Sequence, residues 1–534
     1  MRGVTTRTLR LRRSASYSTA LRGSQARPAQ GLGRLVRRPL VALLFALLAA
    51  YVFLTLAYRR YSGDTLMGDD LDLLVQSRTP GGYASTFWGS FLQTGADKYR
   101  PVVTPLLSIA ADVFDGDYGD WIAFNTLLLS MNAVLVGVLA WRLSRRSIAV
   151  AGLAMVAVLA SRFASYFVLQ GFGLMESVAL MCVLVTVLLV QLAWERQSAG
   201  LLAWANLPYL LGTFSHERYI VLAAFLVSAA ILASWRITLA KRATLVALPI
   251  ASALVNYGVK TYALEIEFFT GGGGEAATTD PFSIVRFMVA ALLNTVGYNA
   301  GPSYLSGKNA VELGLTGVLV SAFLLVPLAA LLLDHLVNRV ERWSQMRPFL
   351  LGLSLYVPLL LSASLTFRQE YRWLYGPFVV LVLGVAWLAG QLPARAPLGL
   401  LPLVVLCGSL TVEAFYRPWL PTTYFFAGQA TADSVKAVVI EPHRADLPGS
   451  AVVLVTHGDR AFQDWYMRGG AFFDVYAEGG HGPVVFVDEL SALTAEAAPG
   501  LPRLVFDFRV DHVVELPSIP TGGAVPATIE PAAS

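Results

Sequence analysis

Long apolar stretches recur along the chain, and several approach the roughly 20 residues that an α-helix needs to cross a bilayer. Of the 534 residues, 56% are hydrophobic and only 14% are charged, whereas soluble domains carry about a quarter charged residues. A mean hydropathy of +0.59 over this length cannot come from one buried core. The sequence therefore predicts a polytopic α-helical membrane protein.

Eleven segments are candidate membrane spans. They are residues 39–58, 121–141, 147–162, 174–194, 200–214, 219–234, 243–260, 312–334, 348–366, 371–390 and 397–415. The two cysteines, Cys182 and Cys407, both lie inside these apolar segments, which argues against a disulfide framework or a cysteine-ligated metal site.

The charges predict the orientation of the spans. Residues 1–40 contain ten arginines and no acidic residue, so the rest of the chain has a net charge of −5. An arginine-rich, acid-free tail before a first span predicts a cytoplasmic N-terminus, here residues 1–38, by the positive-inside rule. A transit peptide is the alternative interpretation, but no A-x-A cleavage site is evident. We expect an integral protein of the plasma membrane.

The connections that this orientation puts inside are basic, as the rule requires. Their charged residues are Arg142, Arg145, Arg146, Arg196, Arg236, Lys241, Arg242, Arg339, Arg342, Arg347 and Arg395. Eleven spans then form a transmembrane region over residues 39–417, with outer loops at 59–120 and 261–311. Residues 282–300 are apolar enough for a twelfth span, but counting them would reverse this charge bias. They are instead predicted to form an interfacial or re-entrant helix.

Ionisable residues gather on the predicted outer face, where the positive-inside rule does not explain them. The first group is Asp69, Asp70 and Asp72, just beyond the first span. Three neighbouring carboxylates repel one another unless an arginine or a metal compensates, and one of them could act as general base for a hydroxyl. The alternative is a solvated loop that only ends the span.

Three further motifs lie on the same predicted face. ADKYRP contains Arg100, SHER contains His216, Glu217 and Arg218, and FRQEYRW runs from residue 367 to 373. In the last motif the two arginines are four residues apart, so on a helix they could grip a phosphate together. The motif contains Arg368, Glu370, Tyr371 and Arg372. The alternatives are internal ion pairs for SHER and an interfacial aromatic belt for FRQEYRW.

The order of these motifs resembles the GT-C superfamily of membrane glycosyltransferases, in particular its protein O-mannosyltransferase-like and aminoarabinose-transferase-like branches. The resemblance rests on an acidic pair beyond the first span, an R-P turn, and a span with FNTLLLSMN, followed by SHER and EYRWLY. It covers roughly residues 40–390. It implies a GT-C-like fold and a transferase that uses a polyprenyl-phosphate-linked sugar on the outer side of the membrane.

The resemblance also implies roles for individual residues. Asp69 matches the first acid of the family motif and is the favoured base, with Asp70 as its partner. The implied ligands of the lipid phosphate are Arg100, Arg218, Arg368 and Arg372. His216 and Glu217 would orient the donor or hold a divalent metal, and the residues leave a metal requirement open. Asp72 is a departure, because a third acid leaves the choice of base among three residues.

The residues after Pro418 have a different composition. AVVLVT, GPVVFVDEL and RLVFDFRVDHVVEL predict a small α/β domain over residues 418–516 with four strands and a helix around Arg460–Met467. The topology makes this domain extracytoplasmic. Residues 517–534 are predicted to be a disordered tail.

Two other functions compete with the glycosyltransferase. A transporter or flippase for a lipid-linked or anionic solute would place ionisable residues near the bilayer midplane and show internal repeats, whereas here they gather at one face. The hypothesis of a non-catalytic scaffold is supported only by the extra C-terminal domain. The expected partners are a polyprenyl-phosphate sugar, an acceptor that is a glycan, lipid or protein, and membrane lipid, with no nucleic acid.

Overall fold

The computed structural model describes residues 32–61, 63–77, 99–265, 280–295, 329, 333, 343–365, 371–391, 400–417, 424–489, 500–509 and 513–519. The chain divides into two compact units, Met1–Ala49 and Ala50–Ser534. The predicted span 312–334 lies almost entirely outside the described residues, as do the predicted disordered tail and most of the outer loop 261–311.

Helices account for most of the described chain. In order they are α1 Leu32–Tyr58, α2 Asp69–Ser77, α3 Thr104–Phe114, α4 Tyr118–Leu143, α5 Ile148–Ala160, α6 Ala164–Leu169, α7 Gly173–Arg196, α8 Ala199–Trp204, α9 Asn206–Ser215, α10 Leu222–Leu232, α11 Leu239–Gly258, α12 Pro281–Thr295, α13 Trp343–Ser364, α14 Tyr375–Gln391, α15 Leu401–Tyr416, α16 Tyr424–Val435, α17 Arg460–Met467 and α18 Ala471–Tyr476.

Five helical segments among the described residues are long and apolar enough to cross a membrane. They are Val41–Tyr61, Tyr118–Leu143, Gly173–Arg196, Leu239–Ala263 and Met346–Ser364. Helices α3, α5, α14 and α15 are apolar but shorter. The helical membrane character is therefore supported, and the count of eleven spans stays a prediction.

Two asparagines in α4 show how the long helices are held together. Asn125 Nδ2 donates to the carbonyl oxygen of Gln170 at 2.6 Å, and Asn132 Nδ2 donates to that of Ser177 at 2.9 Å. Because both the donors and the acceptors are seven residues apart, one face of α4 lies along α7 and the turn that precedes it. Interhelical hydrogen bonds of this kind satisfy polar groups inside apolar packing.

The C-terminal region contains a four-stranded sheet, as the sequence predicts. Its strands are β1 Ala451–Val455, β2 Val484–Val487, β3 Arg503–Phe508 and β4 Val513–Ile519, in the order β2-β1-β3-β4. β1 is parallel to both neighbours and β4 is antiparallel to β3. All five residues of β1 are buried, which explains its unbroken apolar sequence.

The helices of this region contact the acidic segment that precedes α2. Asp433 on α16 accepts hydrogen bonds from the backbone N–H of Asp64 and the hydroxyl of Thr65. The N–H of Leu66 donates to the hydroxyl of Tyr476 at 2.6 Å, and this hydroxyl donates to the carbonyl oxygen of Gly116. The C-terminal helices therefore anchor the chain on both sides of α2.

Candidate functional site

Helix α2 carries all three of the predicted acidic residues in its first turn. A helix turns by about 100° per residue, so Asp69 and Asp72 share a face and Asp70 points elsewhere. The side chain of Asp69 is 58% exposed and Asp70 is 5% exposed. The three carboxylates therefore have different surroundings and different chemistry.

Asp70 is buried against the start of α7. Its Oδ2 accepts from the N–H of Gly171 at 2.8 Å, and its Oδ1 accepts from the N–H of Phe172 at 3.0 Å. Burial raises the pKa of Asp70 to about 7, although these two hydrogen bonds favour the charged form. Because both oxygens are engaged, Asp70 fixes α2 to α7.

Asp69 and Asp72 both pair with Arg468, which ends α17. The guanidinium Nη2 of Arg468 lies 3.0 Å from Oδ1 of Asp69, and it also donates to Oδ2 of Asp72. The C-terminal region therefore supplies the arginine that compensates the repulsion between these carboxylates. The sequence indicates that an arginine or a metal must compensate this repulsion, but it does not identify the arginine.

Arg100 and Glu217 form a two-pronged ion pair. Nε of Arg100 donates to Oε2 of Glu217 at 3.0 Å, and Nη2 donates to Oε1 at 2.6 Å. Burial alone would raise the pKa of Glu217, but the charges of Arg100 and Lys260 hold it well below its ordinary value. Two motifs 117 residues apart are thus joined by charge-assisted hydrogen bonds.

Arg218 pairs with a different carboxylate, Glu176 in the first turn of α7. Its Nη2 lies 2.5 Å from Oε1 of Glu176 and 2.9 Å from Nε2 of His216. Its guanidinium also lies over the ring of Trp373, 5.6 Å from the centroid. Burial, and then the charge of Arg218, hold the pKa of His216 well below its ordinary value, so this histidine is neutral.

Lys260 completes this cluster from the π-helical turn Val259–Ala263, which follows α11. Its Nζ lies 4.0 Å from Oε2 of Glu217. The described members of the cluster are Arg100, Glu176, His216, Glu217, Arg218 and Lys260, which we call the basic cluster. With His216 neutral, these six residues carry three positive charges and two negative charges.

The first turn of α7 connects the basic cluster to α2. Asp70 contacts Gly171 and Phe172, whereas Glu176 binds Arg218. Four residues of helix correspond to about 6 Å along its axis, so the backbone that Asp70 binds lies about one helical turn from the carboxylate that Arg218 binds. That these residues act together in one site stays a prediction.

The FRQEYRW motif is only partly described. Arg368 and Glu370 lie outside the described residues, and Tyr371 and Arg372 begin the short 3-10 turn Tyr371–Leu374. Trp373, the next residue, reaches Arg218. The turn therefore borders the basic cluster, and the phosphate-binding roles of Arg368 and Arg372 stay predictions.

A divalent metal does not fit the SHER residues. His216 Nδ1 accepts from the N–H of Arg218, and two arginines and a lysine surround the carboxylates. Those cations would repel a further cation. Among the described residues, no group of three or more His, Cys, Asp or Glu side chains is placed to hold a metal.

Sequence reasoning missed Lys260 and Arg468 as site residues. Lys260 is the last residue of a predicted span, and an ionisable residue inside a membrane span is a signal that could have identified it. Arg468 has only a weak local signal, because its partners are almost 400 residues away in the chain. No protein-family model matches this chain, and no curated protein matches it either.

Proposed function

We propose that this chain is a GT-C-type membrane glycosyltransferase that moves a sugar from a polyprenyl-phosphate donor to an acceptor hydroxyl on the extracytoplasmic side. The observation that carries the proposal is the basic cluster. A sugar esterified to a lipid phosphate carries a negative charge, and the basic cluster contains more cations than carboxylates. The apolar helices around the cluster suit the lipid chain.

The proposed chemistry is an inverting displacement. The acceptor oxygen attacks the anomeric carbon from the face opposite the phosphate, and the bond from that carbon to the phosphate oxygen breaks. Arg100, Arg218 and Lys260 stabilise the negative charge that grows on the leaving lipid phosphate. The acceptor proton passes to a carboxylate of α2.

Asp69 is the carboxylate that suits the role of base. Its exposed side chain can reach an acceptor, whereas both oxygens of Asp70 are already held by backbone N–H groups. In this proposal Asp70 positions α2 at the start of α7. Asp72 shares Arg468 with Asp69 and helps to fix its orientation.

The test uses the purified full chain in lipid nanodiscs with radiolabelled polyprenyl-phosphate sugars, and measures released lipid phosphate and labelled acceptor. Asp69→Asn should lower transfer at least 100-fold with unchanged thermal stability, since a general base contributes about 10²–10⁴-fold. Asp112→Asn, an exposed acid on α3, is the matched control.

Full activity of Asp69→Asn would remove this residue from the role of base. Binding of the donor without any release of lipid phosphate, by the wild-type chain, would favour the transporter instead. The second outcome is measurable in the same nanodiscs, because donor binding and donor cleavage are separate readouts.

A further inference from the structure

An open cleft lies beside the acidic helix, on the side opposite Asp70. Its volume is about 590 Å³, within the range of about 300–1,000 Å³ that is typical of small-molecule sites. Its lining residues are Asp72, Ala461, Asp464, Trp465, Arg468 and Gly469. Since Arg468 also contacts Asp69, the cleft opens next to the proposed base.

Arg468 stands at a backbone position where glycine is the usual residue. Arg468 ends α17 with a φ of 50° and a ψ of 48°, a left-handed conformation that favours glycine. A non-glycine residue in this region is strained, and such strain is often found at functional sites. The Nε of Arg468 is buried, and no described residue accepts its hydrogen bond.

The chemistry of the lining suits a sugar ring. Trp465 offers a flat apolar surface of the kind that the C–H face of a pyranose or furanose stacks on. Asp464 and Asp72 accept hydrogen bonds from hydroxyl groups, and Arg468 donates them. A few polar groups around an aromatic side chain are the usual composition of a specific binding site.

We propose that this cleft is the acceptor subsite, and that it binds a sugar unit of a glycan. The inference rests on the proposed function, because it gives the acceptor of that reaction a chemical class. The bound unit stacks on Trp465, and the hydroxyl that becomes glycosylated points towards Asp69. The C-terminal region thereby selects carbohydrate over other hydroxyl acceptors.

The first test measures sugar binding without donor, by saturation-transfer NMR on the full chain in nanodiscs. The probes are mannotriose, maltotriose, galactobiose and arabinotriose. At least one should bind, Trp465→Ala should weaken its Kd at least ten-fold, and Trp465→Phe should stay within about three-fold of wild type. A merely structural role for Trp465 would lower the melting temperature without this difference in Kd.

A second variant distinguishes loss of sugar binding from misfolding. Arg468→Gly suits the left-handed backbone, which offsets part of the loss of its ion pairs with Asp69 and Asp72. The variant should therefore keep a cooperative melting transition while weakening sugar binding at least five-fold. Arg460→Gln, an exposed change on the same helix, should bind like wild type. Failure of every probe to bind the wild type, or unchanged binding by Trp465→Ala, would overturn the subsite.

The two proposals fail in different ways. If sugars bind in the cleft but no donor is cleaved, the glycosyltransferase proposal fails and the cleft remains a carbohydrate site. If sugar transfer occurs and Trp465→Ala leaves the acceptor KM unchanged, only the subsite fails.

Discussion

Asp69 and Asp70 are neighbours in the chain, yet their surroundings give them opposite properties. Asp69 faces the exposed side of α2 with Arg468, and Asp70 faces the buried start of α7. Because a helix turns by about 100° per residue, one acidic pair can serve both a solvent-facing site and an interior contact. In the proposed function, Asp69 is the catalytic residue and Asp70 is its anchor.

The first prediction concerns the pH dependence that Asp70 gives to stability. Its pKa is raised to about 7 in the folded chain, against about 3.9 for an ordinary aspartate. Between these values the folded state binds more protons than the unfolded state, so stability falls as the pH rises. The contribution amounts to up to roughly 4 kcal/mol, and it is lost as the pH rises from about 4 through about 7.

Asp70→Asn should therefore flatten the curve of melting temperature against pH between pH 5 and 8. Relative to wild type, the variant should gain stability as the pH rises from 5 to 8, because only the wild type has a group at this position that ionises. Thermal unfolding in detergent between pH 5 and 8 measures the melting temperatures of both proteins. The curve of melting temperature against pH for Asp112→Asn should be parallel to that of wild type. A curve for Asp70→Asn that is also parallel to wild type would contradict the prediction.

The sequence predicted candidate site residues but not their partners. Asp69, Arg100 and the SHER residues could be found because charged side chains next to apolar spans need a reason. That Arg218 pairs with Glu176, whereas Glu217 pairs with Arg100, depends on how α7 and α9 pack. Only the folded chain contains that information.

At the scale of elements, the start of α7 positions the site, and Gly173 makes its close turn possible. A Cβ at Gly173 would lie 2.1 Å from the carbonyl oxygen of Phe167, which is backbone and cannot move aside cheaply. The same turn presents the N–H groups that Asp70 binds and, a few residues on, Glu176. A change at Gly173 should therefore reach both sides of the site.

The second prediction is that Gly173→Ala lowers the melting temperature by several degrees and sharply reduces sugar transfer. Gly152→Ala is the matched control, because a Cβ there meets nothing within 4 Å in the middle of α5. Alanine favours a helix over glycine by about 1 kcal/mol, so the control should be as stable as wild type or more so. Equal stability of the two variants would contradict the proposed role of Gly173.

Several elements predicted from the sequence match the structure closely, whereas one predicted span is not continuous. The helix around Arg460–Met467 and the four strands are confirmed. The predicted span 200–214 is instead divided into α8 and α9 at Ala205. Pro208 explains the break, since its ring would clash with the carbonyl of Trp204, four residues earlier, where α8 ends.

At the scale of the whole molecule, α4 relates the site to the membrane. Its 26 residues span about 39 Å, more than the roughly 30 Å of a bilayer core. It begins beside Gly116, which Tyr476 of the C-terminal region contacts, and it ends at the basic turn with Arg145 and Arg146. If α4 spans the bilayer, the acidic helix and the C-terminal region share one side, and these arginines lie on the other.

The third prediction tests this arrangement with single cysteines in a chain whose Cys182 and Cys407 are replaced by alanine. Asp64→Cys and Glu478→Cys, both exposed, should react with a membrane-impermeant maleimide on intact cells. Arg146→Cys should react only after permeabilisation, because the positive-inside rule puts the basic turn in the cytoplasm.

Since Asp433 holds the chain at Asp64, labelling of Asp64→Cys and Glu478→Cys from opposite sides would contradict the fold itself. Labelling of both only after permeabilisation would instead reverse the orientation, and the lipid-linked donor would then have to be used on the cytoplasmic side.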